Sequence, residues 1–190
     1  MVPGPSGQTV FLDRDGVINR DSADYITTWA QFDFLPGSLE AIARLTRAGL
    51  TVIVITNQSA VGRGMMDSAT LDAIHRNLRA AVTARGGRIA AIFHCPHHPG
   101  DRCHCRKPEP GLIQRAQRRF QLDLSSATMI GDHAKDIQCG INAGCGRTIL
   151  VQSGLSDDRP KLQTLDLAPD HVAVDLAAAV DWLLARPLSA

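Results

Sequence analysis

The sequence predicts an α/β protein built on a mostly parallel sheet with helices on both faces. Three observations carry that expectation: short apolar runs alternate with helix-period segments, glycines close several of the helical segments, and polar or charged groups recur just after the strand runs. In such a fold ligands bind at the carboxyl ends of the strands, near a switch in strand order.

The elements follow in order. Residues 9–12 form a short apolar strand, and residues 37–48 place Leu39, Ile42, Ala43 and Leu45 at helical spacing before Gly49 stops the helix. Residues 51–55 (TVIVI) read as a buried β-branched strand. Ser68 is expected to cap a helix running to about residue 85, which Gly86 and Gly87 end, and residues 89–93 make a third strand. Residues 94–110, rich in Pro, Cys and His, read as loop. Helices at 111–120 and 134–143 alternate with strands at 128–130 and 148–151, and residues 171–174 and 176–185 supply a last strand and helix.

Composition narrows the function classes. With 44% hydrophobic residues in 190, the chain can bury one substantial core, so a single domain is expected. The net charge is +1 and the basic residues are scattered, which argues against nucleic-acid binding and favours a small ligand met by a local positive site. No apolar stretch approaches the ~20 residues of a membrane span, and residues 1–8 have neither the basic start nor the apolar centre of a signal peptide. A soluble, cytoplasmic monomer is therefore expected.

The most informative stretch is Phe11-Leu12-Asp13-Arg14-Asp15-Gly16-Val17-Ile18-Asn19. Residues two apart in extended backbone point the same way, so both carboxylates converge where the strand ends. An Asp-Gly turn explains the pair equally well in isolation. Later strand ends separate the two readings: Thr56-Asn57-Gln58-Ser59 closes the second, Arg106-Lys107-Pro108 stands in the loop after the third, and Gly131-Asp132, with Asp136 beyond, closes the fourth. Acid, hydroxyl, amide and base at successive strand ends fit phosphoryl transfer. Asp13 is the candidate nucleophile and Asp15 the general acid/base. Mg²⁺, which prefers oxygen ligands, is expected between Asp13, Asp132 and the backbone carbonyl of Asp15. Thr56 and Lys107 are the candidate stabilisers of the transferred phosphoryl group, with Asn57 a further donor.

Five cysteines make an odd count, and three cluster with histidines. Cys95-x-His97-x₅-Cys103-x-Cys105 offers three thiolates and an imidazole, the set of a closed structural Zn²⁺ site, although His98 and His104 could replace His97. Cys139 and Cys145 read as packing residues.

DRDGVIN (13–19), TNQS (56–59), CRKPEPG (105–111) and GDHAKD (131–136) together resemble the four motifs of the haloacid dehalogenase-like phosphatases, over about residues 9–151. The CPHH…CHCRKPEPG segment is similar to that of the branch acting on histidinol phosphate and heptose bisphosphates. The resemblance implies a Rossmann-like three-layer α/β/α core, no large cap domain, an Mg²⁺-dependent phosphoaspartyl mechanism and a structural Zn²⁺ loop with His97 as the imidazole ligand. Asn19, Asp21 and Tyr25 lie in a long connection suited to a flap over the site, unless Trp29, Phe32 and Phe34 pack it down as core anchors. Asn57, Gln58, Ser59, Arg106 and His133 complete the candidate substrate contacts. A guanidinium at 106 could grip a second phosphate. Two departures stand out: His133 occupies a position where a lysine is expected, and five residues between His97 and Cys103 make a short loop, as in histidinol phosphatases. A zinc-stapled binding module and a zinc hydrolase are the alternatives from other classes; the full polar set argues against the first and a closed thiolate-rich metal site against the second.

Overall fold

The computed structural model describes residues 8–186. Strands β1 (Thr9–Leu12), β2 (Thr51–Asn57), β3 (Ile89–Cys95), β4 (Thr128–Gly131), β5 (Arg147–Val151) and β6 (His171–Ala173) form one parallel sheet in the order β3-β2-β1-β4-β5-β6. The order reverses between β1 and β4, which leaves a crevice at their carboxyl ends. Asp13 and Asp132 follow those two strands directly.

Side chains alternate across the sheet as the pleat requires. Val10, Leu12, Val52, Val54, Ile130 and Ile149 face one layer, packed by α1 (Ser38–Arg47), α3 (Ser68–Ala84) and α7 (Leu176–Leu184). Phe11, Ile53, Ile55 and Met129 face the other, against α4 (Gly111–Phe120) and the Cys139 side of α5 (Ala134–Ala143). Both faces are buried, which is why the strands read as unbroken apolar runs. The three-layer architecture expected from the sequence is the one formed.

Several local expectations are corrected. Asp67, not Ser68, caps α3, its side chain accepting from Thr70 N at 2.7 Å; a carboxylate there also suits the helix dipole. β2 extends through Asn57 and β3 through Cys95, so residues 94 and 95 belong to a strand. Two short helices, α2 (Ser59–Gly62) and α6 (Arg159–Thr164), carry too few residues to show a helical period. The connection after β1 divides into two parts. Trp29, Phe32 and Phe34 stack into a cluster, with centroids 4.9 and 5.1 Å apart along the chain, while residues 21–26 supply part of the cleft wall. The aromatic half is anchored as core. The expectation about a leader at residues 1–8 falls, except for Gln8, outside the described residues.

Candidate active site

Asp13 continues the β1 ladder, its N–H donating to Ile130 O at 3.0 Å, and its carboxylate stands in the crevice. Oδ1 accepts from Arg14 N at 2.7 Å, and Oδ2 lies 2.7 Å from Lys107 Nζ. The same ammonium is 2.7 Å from Asp136 Oδ1. Lys107 and both carboxylates are buried, so the lysine is a fixed positive charge shared by two acids. Burial pushes the Asp13 carboxyl up to about 7, against the pull of Lys107 and with the repulsion of Asp136 and Asp132 added. Asp136 first turns its other oxygen back to His133 N at 3.0 Å, capping α5, and thereby sets Lys107 as well.

Asp15 sits in a cage of donors. Arg14 Nε and Nη2 reach Oδ1 at 3.0 and 2.8 Å, Asn19 Nδ2 reaches Oδ1 at 2.9 Å, and Gln58 Nε2 reaches Oδ2 at 2.8 Å. Burial alone would raise its pKa, but the Arg14 charge and these hydrogen bonds bring it below the ordinary carboxylate value. The geometry holds the carboxylate in one orientation.

The chain after β2 serves positioning more than contact. Gln58 Nε2 also donates to Thr56 Oγ1 at 2.8 Å, which leaves the threonine proton free to point into the crevice. Asn57 clamps the backbone of Lys107, accepting from its N–H at 3.1 Å and donating to its carbonyl at 3.2 Å. Asn19 is fully buried and outside the cleft lining, while Asp21, Tyr25, Ser59, Arg106 and His133 line it. Tyr25 takes a positive φ of 64° at the mouth, with Arg63 5.7 Å from its ring. His133 Nδ1 lies 2.7 Å from Asp132 Oδ2, an interaction that raises the histidine pKa against its burial. Arg106 reaches no carboxylate among the described residues, and its Nη1 is buried without a hydrogen-bond partner.

The residues fit a divalent cation. Oxygens of Asp13, Asp132 and Asp136 lie within 4.8 Å of one another. Three carboxylates crowd round the single ammonium of Lys107, an excess of negative charge that a divalent cation would offset. Asp132 Oδ1 is buried with no hydrogen-bond partner, the mark of an oxygen awaiting a ligand. Gly16, at φ +79°, and Gly154 press so closely on this carboxylate that a Cβ on either would overlap it.

The cysteine cluster fits Zn²⁺ on distance. A tetrahedron with Zn–S near 2.3 Å and Zn–N near 2.0 Å separates sulfurs by about 3.8 Å and sulfur from nitrogen by about 3.5 Å. Cys103 Sγ stands 3.5 Å from Cys95 Sγ and 3.7 Å from Cys105 Sγ, while His97 Nδ1 is 3.5 and 3.3 Å from Cys95 and Cys105. His98 instead accepts from Gly100 N at 3.1 Å and turns the loop. Burial pushes the Cys95 thiol up to about 12, so a full set of thiolates needs the cation. Lys107 follows Cys105 by two residues, which makes the loop a support for the buried Lys107 ammonium. Stripping zinc is expected to raise proteolysis within residues 96–110 by at least ~10-fold and to lower phosphate release, because the loop relaxes around Lys107. Unchanged proteolysis after zinc loss verified by elemental analysis would count against a structural staple.

Arg14, Lys135 and Asp136 were not among the expected site residues. Lys135, the second residue of α5, lines the cleft, and Arg14 lines it while holding Asp15. The sequence does carry a signal for the last of these, an acid four residues beyond Asp132 in the first turn of α5. An arginine between two aspartates reads as a solvated charge until its burial is known.

Comparison with known proteins agrees with this geometry. A family model described as HAD-hydrolase-like matches residues 104–179. The D-glycero-beta-D-manno-heptose-1,7-bisphosphate 7-phosphatase of Bordetella bronchiseptica is 42% identical over 184 residues, covering 92% of this chain and 97% of that protein. A D-glycero-alpha-D-manno-heptose-1,7-bisphosphate 7-phosphatase of Mycobacterium bovis is 39% identical, covering 76% of this chain and 78% of that protein. Among solved structures, the B. bronchiseptica heptose 1,7-bisphosphate phosphatase complexed with magnesium and phosphate superposes with a TM-score of 0.87 at 44% identity, covering 94% of this chain and 98% of the other. With the acid, lysine and threonine set at the β1/β4 crevice, these similarities lead to one conclusion: the chain belongs to the haloacid dehalogenase-like phosphatase family.

Proposed function

We propose that this chain is a phosphatase that removes the C7 phosphate of D-glycero-D-manno-heptose 1,7-bisphosphate through a phosphoaspartyl intermediate. The observation that carries the reading is the buried Asp13–Lys107–Asp136 array beside Arg106, whose unpartnered Nη1 offers a donor for an anionic group. A Rossmann-like sheet alone hosts many chemistries, so the argument rests on these side chains.

The groups that make and break bonds in the reaction all belong to this chain. Asp13 attacks phosphorus in line, forming a carboxylate–phosphorus bond as the bond from phosphorus to the C7 oxygen breaks. Asp15 takes up a proton as the anionic substrate settles beside it, since a neighbouring negative charge raises a carboxyl pKa, and passes that proton to the departing alkoxide. It then takes a proton from water, which attacks phosphorus, releases inorganic phosphate and restores Asp13. Lys107 and the Thr56 hydroxyl hold the equatorial oxygens while charge spreads over them. Asp13, Asp132 and the Asp15 carbonyl would hold Mg²⁺, which would supply the charge neutralisation that an anionic nucleophile needs near an anionic phosphate. Asn57 and Gln58 act mainly through Lys107, Asp15 and Thr56, and Asn19 through Asp15. Asp21, Tyr25, Ser59, Arg106 and His133 remain as the wall that meets the sugar, with Lys135 a second cation near its entrance.

A cytoplasmic monomer making heptose 1-phosphate for nucleotide activation, toward lipopolysaccharide core or related glycans, completes the proposal; it needs no nucleic-acid partner. No helix among the described residues is long and apolar enough to cross a membrane. The short zinc loop favours histidinol phosphate as the second reading. Side-by-side kinetics on the α and β heptose 1,7-bisphosphates and on histidinol phosphate test the choice. The bisphosphates are expected to exceed histidinol phosphate in kcat/KM by at least ~10-fold, about the contribution of one charge-assisted contact. A preference for histidinol phosphate would overturn the heptose assignment while leaving the phosphatase reading intact.

A further inference from the structure

We propose that His75, a residue of α3 outside the cleft lining, is a positioning residue that acts through Arg14 to aim the Asp15 carboxyl for proton transfer to the leaving alkoxide. The inference rests on the assignment of Asp15 as acid/base.

Arg14 is the fixed point of this arrangement. Only 1% exposed, its guanidinium places Nε and Nη2 on Asp15 and its face 5.6 Å from the centroid of Phe32. The remaining nitrogen, Nη1, stands 3.4 Å from His75 Nε2. A guanidinium has no acceptor, so the histidine must accept there, with Nε2 unprotonated and the ring neutral. Its surroundings agree. Arg14 and Arg79 are cations near the ring, and the His94 ring lies 5.6 Å away; burial and those charges lower the His75 pKa to about 3, outweighing the opposing pull of Asp15. The ring is therefore a neutral acceptor at any working pH.

Three contacts thus fix the guanidinium: a carboxylate along one edge, an aromatic face beneath, and an imidazole at the far corner. The fork then fixes the plane of the carboxylate it grips, because two parallel N–H···O contacts tolerate little rotation. Phe32 is itself held by Trp29 and Phe34, and His75 by a 17-residue helix, so the orientation of Asp15 is set by elements remote from the substrate. Small misplacements of an acid cost rate because proton transfer requires close alignment. A plain core histidine would lack this connection to the acid/base, and its loss would affect stability alone.

Leaving-group chemistry separates the roles. An alkyl phosphate needs a proton delivered to its departing oxygen, whereas p-nitrophenyl phosphate releases a stabilised phenolate that needs little help. The comparison uses kcat/KM, which covers steps up to alcohol or phenolate departure and excludes hydrolysis of the intermediate when that departure is irreversible. For His75→Leu, kcat/KM on heptose 1,7-bisphosphate is expected to fall about 10-fold, a fraction of what general acid catalysis supplies, while p-nitrophenyl phosphate falls less than threefold. His75→Gln, which returns an acceptor on a side chain of similar reach, should restore most of the ratio. Where His75→Leu does not fold, His75→Phe, which fills the ring's space and lacks an acceptor for Arg14 Nη1, reads the same selective loss. Equal losses on both substrates, or no loss, would overturn the positioning role. Asp15→Asn run in parallel tests the underlying assignment: if that variant shows no leaving-group selectivity, Asp15 is not the acid, whatever His75 does.

Discussion

Asp13→Asn abolishes phosphate release while the chain stays folded. The carboxylate that bonds to phosphorus is gone, and an amide does not replace it as a nucleophile; the expected fall in kcat is ~10⁴-fold or more, the scale seen when a covalent nucleophile is removed. Stability should move little. Burial and the neighbouring acids already raise the Asp13 carboxyl, so a neutral side chain relieves repulsion from Asp136 and Asp132 even as it loses the contact with Lys107. Lys107 keeps Asp136 as its partner at 2.7 Å. A change within about 1–2 kcal/mol is expected, as for many single substitutions without a cavity or an orphaned charge. Phosphate release and thermal melts on the same preparation check both halves; undiminished turnover would sink the nucleophile assignment.

Lys107→Met is the complementary case, because here activity and stability fall together. The ammonium lies against two buried carboxylates, and removing it leaves Asp13 and Asp136 uncompensated beside Asp132. Breaking a buried ion pair by deleting one partner costs about 3–5 kcal/mol. Loss of a charge that meets developing charge in the transition state costs about 10²–10³ in kcat. Saturating Mg²⁺ is expected to recover part of the melting temperature, since a divalent cation at the three acids replaces some of the missing positive charge. It should not recover the rate, because Lys107 also contacts the phosphoryl oxygens in the proposed reaction. Melts with and without Mg²⁺, together with kcat, decide this: a variant as stable as the parent without Mg²⁺ would contradict the buried-array account.

The contrast between these substitutions also shows which parts of the site are legible in a sequence. Asp13 and Asp15 could be read because strand period two sends both to one side, and Asp132 because it ends the fourth strand run. Cys95, His97, Cys103 and Cys105 could be read because zinc demands a ligand set that few other constraints produce. The N-cap of α3 was misplaced by one residue because Asp67 and Ser68 are both good caps, and side-chain direction decides between them. The sequence marks Asn19, Asn57 and Gln58 as site residues but not their partners, because each carries an amide that can serve either substrate or protein. Arg14 and His75 were invisible as a pair because they stand 61 positions apart.

By itself, then, the sequence determined the alternation of strands and helices, the candidate acids, threonine and lysine that meet at the crevice, and the cysteine–histidine cluster that could hold zinc. Those features are written in local periodicity and in residue types whose chemistry has few substitutes. Only the tertiary structure decided how the groups share charge: that Lys107 serves two buried acids, that Asn57 holds Lys107 in place, and that Arg14, Gln58 and Asn19 turn Asp15 to a single orientation. The physical reason is that burial and pairing depend on which distant segments meet. A hydrogen bond between residues far apart in the chain leaves no period, spacing or composition from which to read it.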